Sequence, residues 1–266
     1  MIIIGEKING SIPKTGAAIA EKNETYIRNL VKKQTAFKAS YLDVCASVSP
    51  DKELETLKWL VDLVQQESDL PICLDSPNAS VFAEAIKFCK KPGIINSVSM
   101  EGDKIEKVFP VIADTEWQCI ALLCDNTGIP GSAEKRLEVF ERILDKAGEY
   151  GIAPGRLYID PVVEMLASSE EGALKVFDTI RKVKAHCPDV HITSGASNIS
   201  FQLPFRKFIN RSFIILCMDA GMDSAIIDPS SKDILALIYA AEALLGKDEM
   251  CLEYIGAYRE GLFGDP

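Results

Sequence analysis

Acids and amides recur along this chain at the ends of short apolar, β-branched runs. Glu6 and Asn9 follow MIIIG, Asp43 and Cys45 lie in YLDVCA, and Asp75 and Ser76 close PICLDS. Asn96 and Ser97 lie in GIINSVS, Asp125 and Asn126 follow WQCIALLC, Asp160 closes RLYID, Asn198 follows HITSGAS, and Asp228 closes SAIID. Two chemistries suit such a set once the runs are gathered side by side. Asp43, Asp75, Asp160 or Asp228 would hold a hard cation such as Mg²⁺. Alternatively, the acids and the amides between them would hold an organic ligand rich in N–H groups. An Asn offers a donor and an acceptor on one neutral group, which matches a heteroaromatic ring edge better than a metal. The run ends are read as lacking lysine and histidine, with Arg206 their one cation, and this too favours the ring over the metal.

Each residue also has a plainer reading. Asp43 and Asp228 are as well placed to cap a following helix, and Asp160 before Pro161 makes a common turn pair. Cys45 reads as an inert buried thiol rather than a nucleophile. His186 reads as a cation at a helix C-terminus. The cluster is more informative than any of its members.

The elements that must position these groups alternate strictly. The strands read as MIIIG, YLDVCA, PICLDS, GIINSVS, WQCIALLCD, RLYIDP, HITSGAS and SAIIDPS, with amphipathic helical stretches such as 24–39, 51–67, 133–150 and 231–246 between them. Parallel strands need crossovers, so the pattern predicts an α/β fold of the (β/α)₈ TIM-barrel type, a single domain over residues 1–266. The alternative is an open doubly wound sheet, but no strand is followed by G-x-G-x-x-G or a P-loop. Residues 247–266 form a tail with Met250, Tyr254, Ile255, Tyr258 and Leu262 at helical spacing, expected to cover the barrel or a neighbouring subunit.

With 29 Lys and Arg against 39 Asp and Glu, the net charge of −10 argues against nucleic acid and membrane surfaces as partners. No apolar stretch approaches the roughly 20 residues that span a bilayer, and MIIIGEKING has no basic leader region, so the expected location is cytoplasmic. The eight cysteines contain no C-x-x-C pair and the chain has two histidines, a poor set for zinc.

The stretches IIIGEKIN, CLDSPN, INSVS, YIDP and SNISFQLPFRKFINRSF resemble the pterin-binding barrel methyltransferases, and within that group the methyltetrahydrofolate:corrinoid protein methyltransferases of anaerobic bacteria. The resemblance spans nearly the whole chain. It implies tetrahydrofolate or its 5-methyl form as substrate, a cobalamin-type corrinoid on a separate protein as partner, and no metal in this chain. Matched motif by motif, Asp75, Asn96 and Asp160 fall on pterin-holding positions and Asn198 on an amide near N5. Arg206 falls on a loop facing the folate tail or the corrinoid partner, and Glu6, Asp43 and Gln202 complete the expected substrate contacts. The chain lacks the D-x-H-x-x-G of a corrinoid carrier, and a homodimer is expected. Two positions depart from the family pattern: Cys45 stands where Asn is frequent, and Gln202 where Gly is. The alternatives are a condensing enzyme like dihydropteroate synthase and a noncatalytic pterin-binding subunit; LDVCASVSPDKE lacks the Gly- and Arg-bearing loop expected of the former.

Overall fold

The computed structural model describes residues 1–263. Eight strands alternate with helices: β1 Ile2–Asn9, β2 Tyr41–Cys45, β3 Ile72–Asp75, β4 Ile94–Met100, β5 Gln118–Asp125, β6 Leu157–Asp160, β7 His191–Ile192 and β8 Ser224–Ile227. They lie parallel in the order β7-β6-β5-β4-β3-β2-β1-β8. β7 and β8 close the ring through Ile226 N–H donating to the Ser194 carbonyl at 3.1 Å. The helices are α1 Pro13–Ala20, α2 Glu24–Ala36, α3 Pro50–Glu67, α4 Phe82–Ala85, α5 Lys104–Ile112, α6 Ala133–Glu149, α7 Gly172–His186, α8 Arg206–Ala220, α9 Lys232–Leu244 and α10 Leu252–Arg259. The TIM barrel expected from the alternation is the fold observed.

Burial explains the pattern of the runs. Inward residues such as Ile4, Cys73, Ile94, Ile120 and Tyr158 fill the barrel, while their neighbours join a larger layer under the helices with Leu42, Leu74, Phe82, Phe109 and Phe140. A strand covered on both faces reads as a continuous apolar run, which is why all eight were recognisable. All eight cysteines are free thiols, five of them buried. No helix is long and apolar enough to cross a membrane among the described residues.

Three elements differ from expectation. β1 does not stop at Gly5 but continues to Asn9, with its register against β2 slipping between Gly5 and Ile8. β7 is two residues long, and the GAS that was expected to extend it coils into a 3₁₀ turn over Ala196–Ser200. In the tail, Leu262 is buried but Met250, Tyr254, Ile255 and Tyr258 are exposed. Met250 and Cys251 both adopt positive φ, which breaks the expected helical phase. The Asp248 carboxylate accepts from Glu253 N–H at 3.0 Å and Tyr254 N–H at 2.9 Å to start α10 afresh. Phe263 then packs on Tyr239 of α9. Of the tail expected over 247–266, residues 264–266 lie outside the described residues.

Candidate functional site

Because the strands run parallel, their C-terminal ends open at one mouth, and every candidate from the strand ends and the loops after them lies around it. β2, β3 and β4 bring Asp43, Asp75 and Asn96 together. The Asn96 amide donates Nδ2–H to Asp43 Oδ1 at 3.2 Å, which leaves its carbonyl oxygen free to face a ligand. Asp43 is almost wholly buried, at 1% exposure. Burial, and then the neighbouring charge of Asp75, push its carboxyl well above the usual range. In this structure its carboxylate is buried and accepts from the Asn96 amide. Asp75 stands at the rim of this group and burial pushes it up to about 6. Asn9, from the extended end of β1, donates to Asp75 Oδ2 at 3.5 Å while its own oxygen accepts from Ser11 N–H and O–H at 2.9 and 2.7 Å. Those acceptances fix which way the Asn9 amide points. Cys45 lies beside Ser47 at 3.2 Å, and burial, with the charge of Asp75 adding to it, pushes its thiol up to about 12. A thiol so placed is a neutral neighbour of Asp75, not a thiolate nucleophile.

Asp160 ends β6 across the barrel. Its Oδ1 accepts Val162 N–H at 2.8 Å, and burial raises it to about 6 against the opposing pull of the N–H groups. Val162 carries a φ of 59°, a costly conformation for a β-branched residue. Arg136, fully buried on α6, holds that segment open. It donates to the carbonyls of Pro130 at 3.1 Å, Pro161 at 2.9 Å and Val162 at 3.2 Å, and pairs with Glu164 at 2.7 Å. Nothing local in the sequence separates Arg136 from a surface arginine of an amphipathic helix; only its burial reveals the role.

The sector from β8 to β1 carries the correction about charge. Lys7, beyond the expected end of β1, pairs with Asp228 at 3.5 Å, so the mouth does contain a lysine. The β1 bulge places it there. Gln34 of α2 accepts the freed Lys7 N–H at 3.0 Å. A Cβ on Gly5 would lie 2.5 Å from that same Gln34 oxygen, so glycine leaves room for the bulge. Glu6 beside it is raised mainly by burial and further by Asp228, with Lys7 opposing. Asp228 also accepts Ser230 N–H at 3.0 Å and Ser230 O–H at 2.6 Å, a turn ahead of α9, whose N-cap is Ser231 without a side-chain cap, so Asp228 does not cap that helix. His186 lies at the end of α7, 3.4 Å from Glu141.

The loop from β7 to α8 forms the rim. Asn198 is exposed on the 3₁₀ turn and its side chain forms no hydrogen bond among the described residues. Gln202 is also exposed, at φ 65°. That is the left-handed region glycine favours, where glycine would sit without strain. Arg206 is spent on its own loop: it donates to Ser200 Oγ at 3.0 Å and to the Ser197 carbonyl at 2.7 Å, and lies over the Phe201 ring. These bonds brace the rim and leave its remaining N–H groups exposed. Among the described residues, no group of three or more His, Cys, Asp or Glu side chains is arranged to hold a metal ion.

A barrel whose mouth interleaves acids and amides in this way defines a class, and comparison identifies it. The pterin-binding enzyme family profile matches residues 17–228, and the chain belongs to that family. It is 44% identical over 266 residues to the methylcorrinoid:tetrahydrofolate methyltransferase of Eubacterium limosum, covering 99% of this chain and 98% of that one. It is 32% identical over 244 residues to the methionine synthase of Mycobacterium tuberculosis, 86% of this chain but only 20% of that protein's length. Among solved structures, a dihydropteroate synthase from Clostridium difficile, in the presence of pteroic acid, superposes with a TM-score of 0.71 over 92% of this chain and 96% of its own, at 16% identity. The Yersinia pestis enzyme with a pterine-sulfa conjugate gives 0.66 over 92% and 93% at 14%. At such identities the likeness is one of fold, and the family expected from the motifs is the family found.

Proposed function

We propose that this chain transfers a methyl group from the cobalt of a corrinoid, carried on a separate protein, to N5 of tetrahydrofolate. The observation that carries the reading is the full-length 44% identity to the E. limosum methyltransferase, on a barrel mouth built of acids and amides. Asp160 accepts the N3–H and 2-amino hydrogens of the pterin in fork fashion, using the carboxylate capacity left after its bond to Val162 N–H. Asp75 and the free carbonyl of Asn96 take the remaining ring edge. N5 then attacks the methyl carbon, the cobalt–carbon bond breaks with its electron pair on cobalt, and the N5 proton leaves to solvent. Asn198, exposed and without a side-chain partner, places its amide against N5 and accepts the N–H as positive charge develops there.

The acids in this reading bind N–H groups, so turnover needs no metal. A homodimer is part of the same reading; Phe208 and Leu216 are exposed along the groove between α7 and α8 and offer an apolar face to a second copy. The test mixes purified protein with methylcobalamin and tetrahydrofolate and follows the cobalt spectrum, with and without exhaustive chelation. Conversion to cob(I)alamin in both arms is the expected outcome. Tight pterin binding with no methyl transfer from free or protein-bound methylcorrinoid would leave a noncatalytic pterin-binding subunit, and activity lost on chelation and restored by Mg²⁺ would return the metal reading.

A further inference from the structure

Asp75 and Asn96, taken above to hold the ring edge, belong to one row of the sheet: Asn9, Cys45, Asp75 and Asn96 are register partners across β1 to β4. Ser76, the residue after Asp75, ties that row to a helix. Its N–H donates to the Asn96 carbonyl at 3.0 Å, its hydroxyl accepts Asn78 N–H at 3.0 Å, and the same hydroxyl donates to Glu53 Oε1 at 2.5 Å. Glu53 lies in the first turn of α3 and is only 5% exposed. Among the described residues the Ser76 hydroxyl is the one side chain bonded to it, and no cation pairs with it. A carboxylate buried on a single hydroxyl is destabilising, and an apolar side chain would fill the same place at less cost. Packing alone therefore does not account for an acid here.

Asp75 responds to that acid. Burial is the main cause that raises it to about 6, the Cys45 thiol opposes the rise, and the charge of Glu53 adds to it. The other titratable groups facing Asp75 are Asp43 and Cys45 of β2, and burial favours the neutral form of both, Asp43 well above the usual carboxylate range and Cys45 at about 12. We propose that Glu53 is a positioning residue for pterin recognition: through the Ser76 hydroxyl it holds the strand ends bearing Asp75 and Asn96, and its charge bears on Asp75. It acts through those side chains and touches no substrate. The proposal rests on the functional reading above and adds to it a residue outside the mouth. The rival is purely structural, an acid that favours the first turn of its own helix.

The test is equilibrium titration with tetrahydrofolate between about pH 5 and pH 8, beside single-turnover transfer from methylcobalamin at saturating tetrahydrofolate, for the wild type, Glu53→Gln, Glu53→Ala, Ser76→Ala and the double variant E53A/S76A. Glu53→Gln keeps the acceptor for Ser76 and removes the charge. It should bind as the wild type does near pH 8 and about two- to threefold more tightly near pH 5.5, because Asp75 freed of a like charge ionises at lower pH. Glu53→Ala and Ser76→Ala should each lower affinity near pH 8 by about five- to tenfold, the effect of losing one buried charge-assisted hydrogen bond. The double variant loses no more than either alone, and transfer at saturation stays within about twofold. Wild-type affinity in E53A and S76A with only thermal stability lowered, or an E53Q profile that superposes on the wild type, overturns the proposal in favour of the structural rival. If E53A does not fold, E53Q and S76A decide it. Failure of the wild type itself to bind tetrahydrofolate overturns the functional reading instead, so the two failures are distinguishable.

Discussion

The strand-end candidates Asp75, Asn96 and, across the barrel, Asp160 are each held by another group, Asp160 accepting Val162 N–H. Asn96 is held by Asp43, Asp75 by Asn9, and Asn9 by Ser11. On the opposite rim, Asn198 stands free, Phe205 is 78% exposed, and Gln202 and Phe205 both adopt positive φ. The first region is a fixed set of hydrogen-bonding positions, which is what recognition of a rigid ring demands. The second has the exposed, strained surface from which segments that must admit a large partner are drawn. The contrast separates holding the pterin from turning it over, and substitutions on the two sides should fail in different ways.

The largest effect belongs to the free side. Asn198 bonds N5 weakly in the ground state and more strongly as charge develops, so its loss appears in rate. Asn198→Ala is expected to slow single-turnover methyl transfer by about 10² to 10³, as loss of one such electrostatic partner does. Pterin affinity should fall by only about tenfold. Stopped-flow measurement of the cobalt spectrum beside equilibrium titration decides it. Equal losses in affinity and kcat/KM, with kcat untouched, would assign Asn198 to the holding side and erase the contrast.

The fixed side should lose affinity and become sensitive to pH. Removing a charge-assisted double acceptor costs about 2 to 3 kcal/mol, so Asp160→Ala should weaken tetrahydrofolate binding by roughly 30- to 150-fold. Its carboxyl, raised to about 6 by burial, must ionise to accept the ring's N–H pair. Wild-type affinity should therefore fall as pH drops through 6, and Asp160→Asn should remove the share of that slope due to Asp160, leaving that of Asp75, which burial also raises to about 6. Stability runs the other way. An unfolded Asp ionises near 3.9, so without ligand the contribution of this group is greatest below that pH and is lost as pH rises through about 6. Denaturant titrations at several pH values, in which Asp160→Asn gains relative to wild type towards neutrality, check the sign. A pH-independent affinity would mean that the ring is held elsewhere.

The fold and most of the fixed side were legible because doubly covered strands leave long apolar runs, and Asp75, Asn96 and Asp160 close or interrupt those runs. What escaped depends on contacts distant in sequence. The β1 bulge needs Gln34, 27 residues after the N–H it accepts, so Lys7 and Asn9 were placed outside the strand. Arg136 reaches the β6 loop across 25 residues from a helix with an ordinary amphipathic pattern. The rim was legible only in part: the bonds of Arg206 to Ser197 and Ser200 lie within its own loop, where spacing alone does not show which way a side chain turns.

The smallest expected effect tests whether the rim's strain matters at all. Gln202 holds φ at 65°, a region that costs an L-residue about 1 to 2 kcal/mol and glycine almost nothing. Gln202→Gly relieves that cost but adds about 0.4 to 1 kcal/mol of unfolded-chain entropy, so the net gain should be under about 1 kcal/mol. For a domain of this size that raises Tm by roughly 2 °C. The Gln202 side chain is exposed on the rim, so pterin affinity and transfer from free methylcobalamin should stay within about twofold, a change below 0.5 kcal/mol. Free cobalamin does not dock as a protein, whereas a corrinoid protein must seat on the rim that Gln202 shapes. A change in KM confined to the protein-bound corrinoid would place the docking surface on this loop. A change in pterin affinity would show instead that Gln202 reaches the ring, and that the rim belongs with the fixed side.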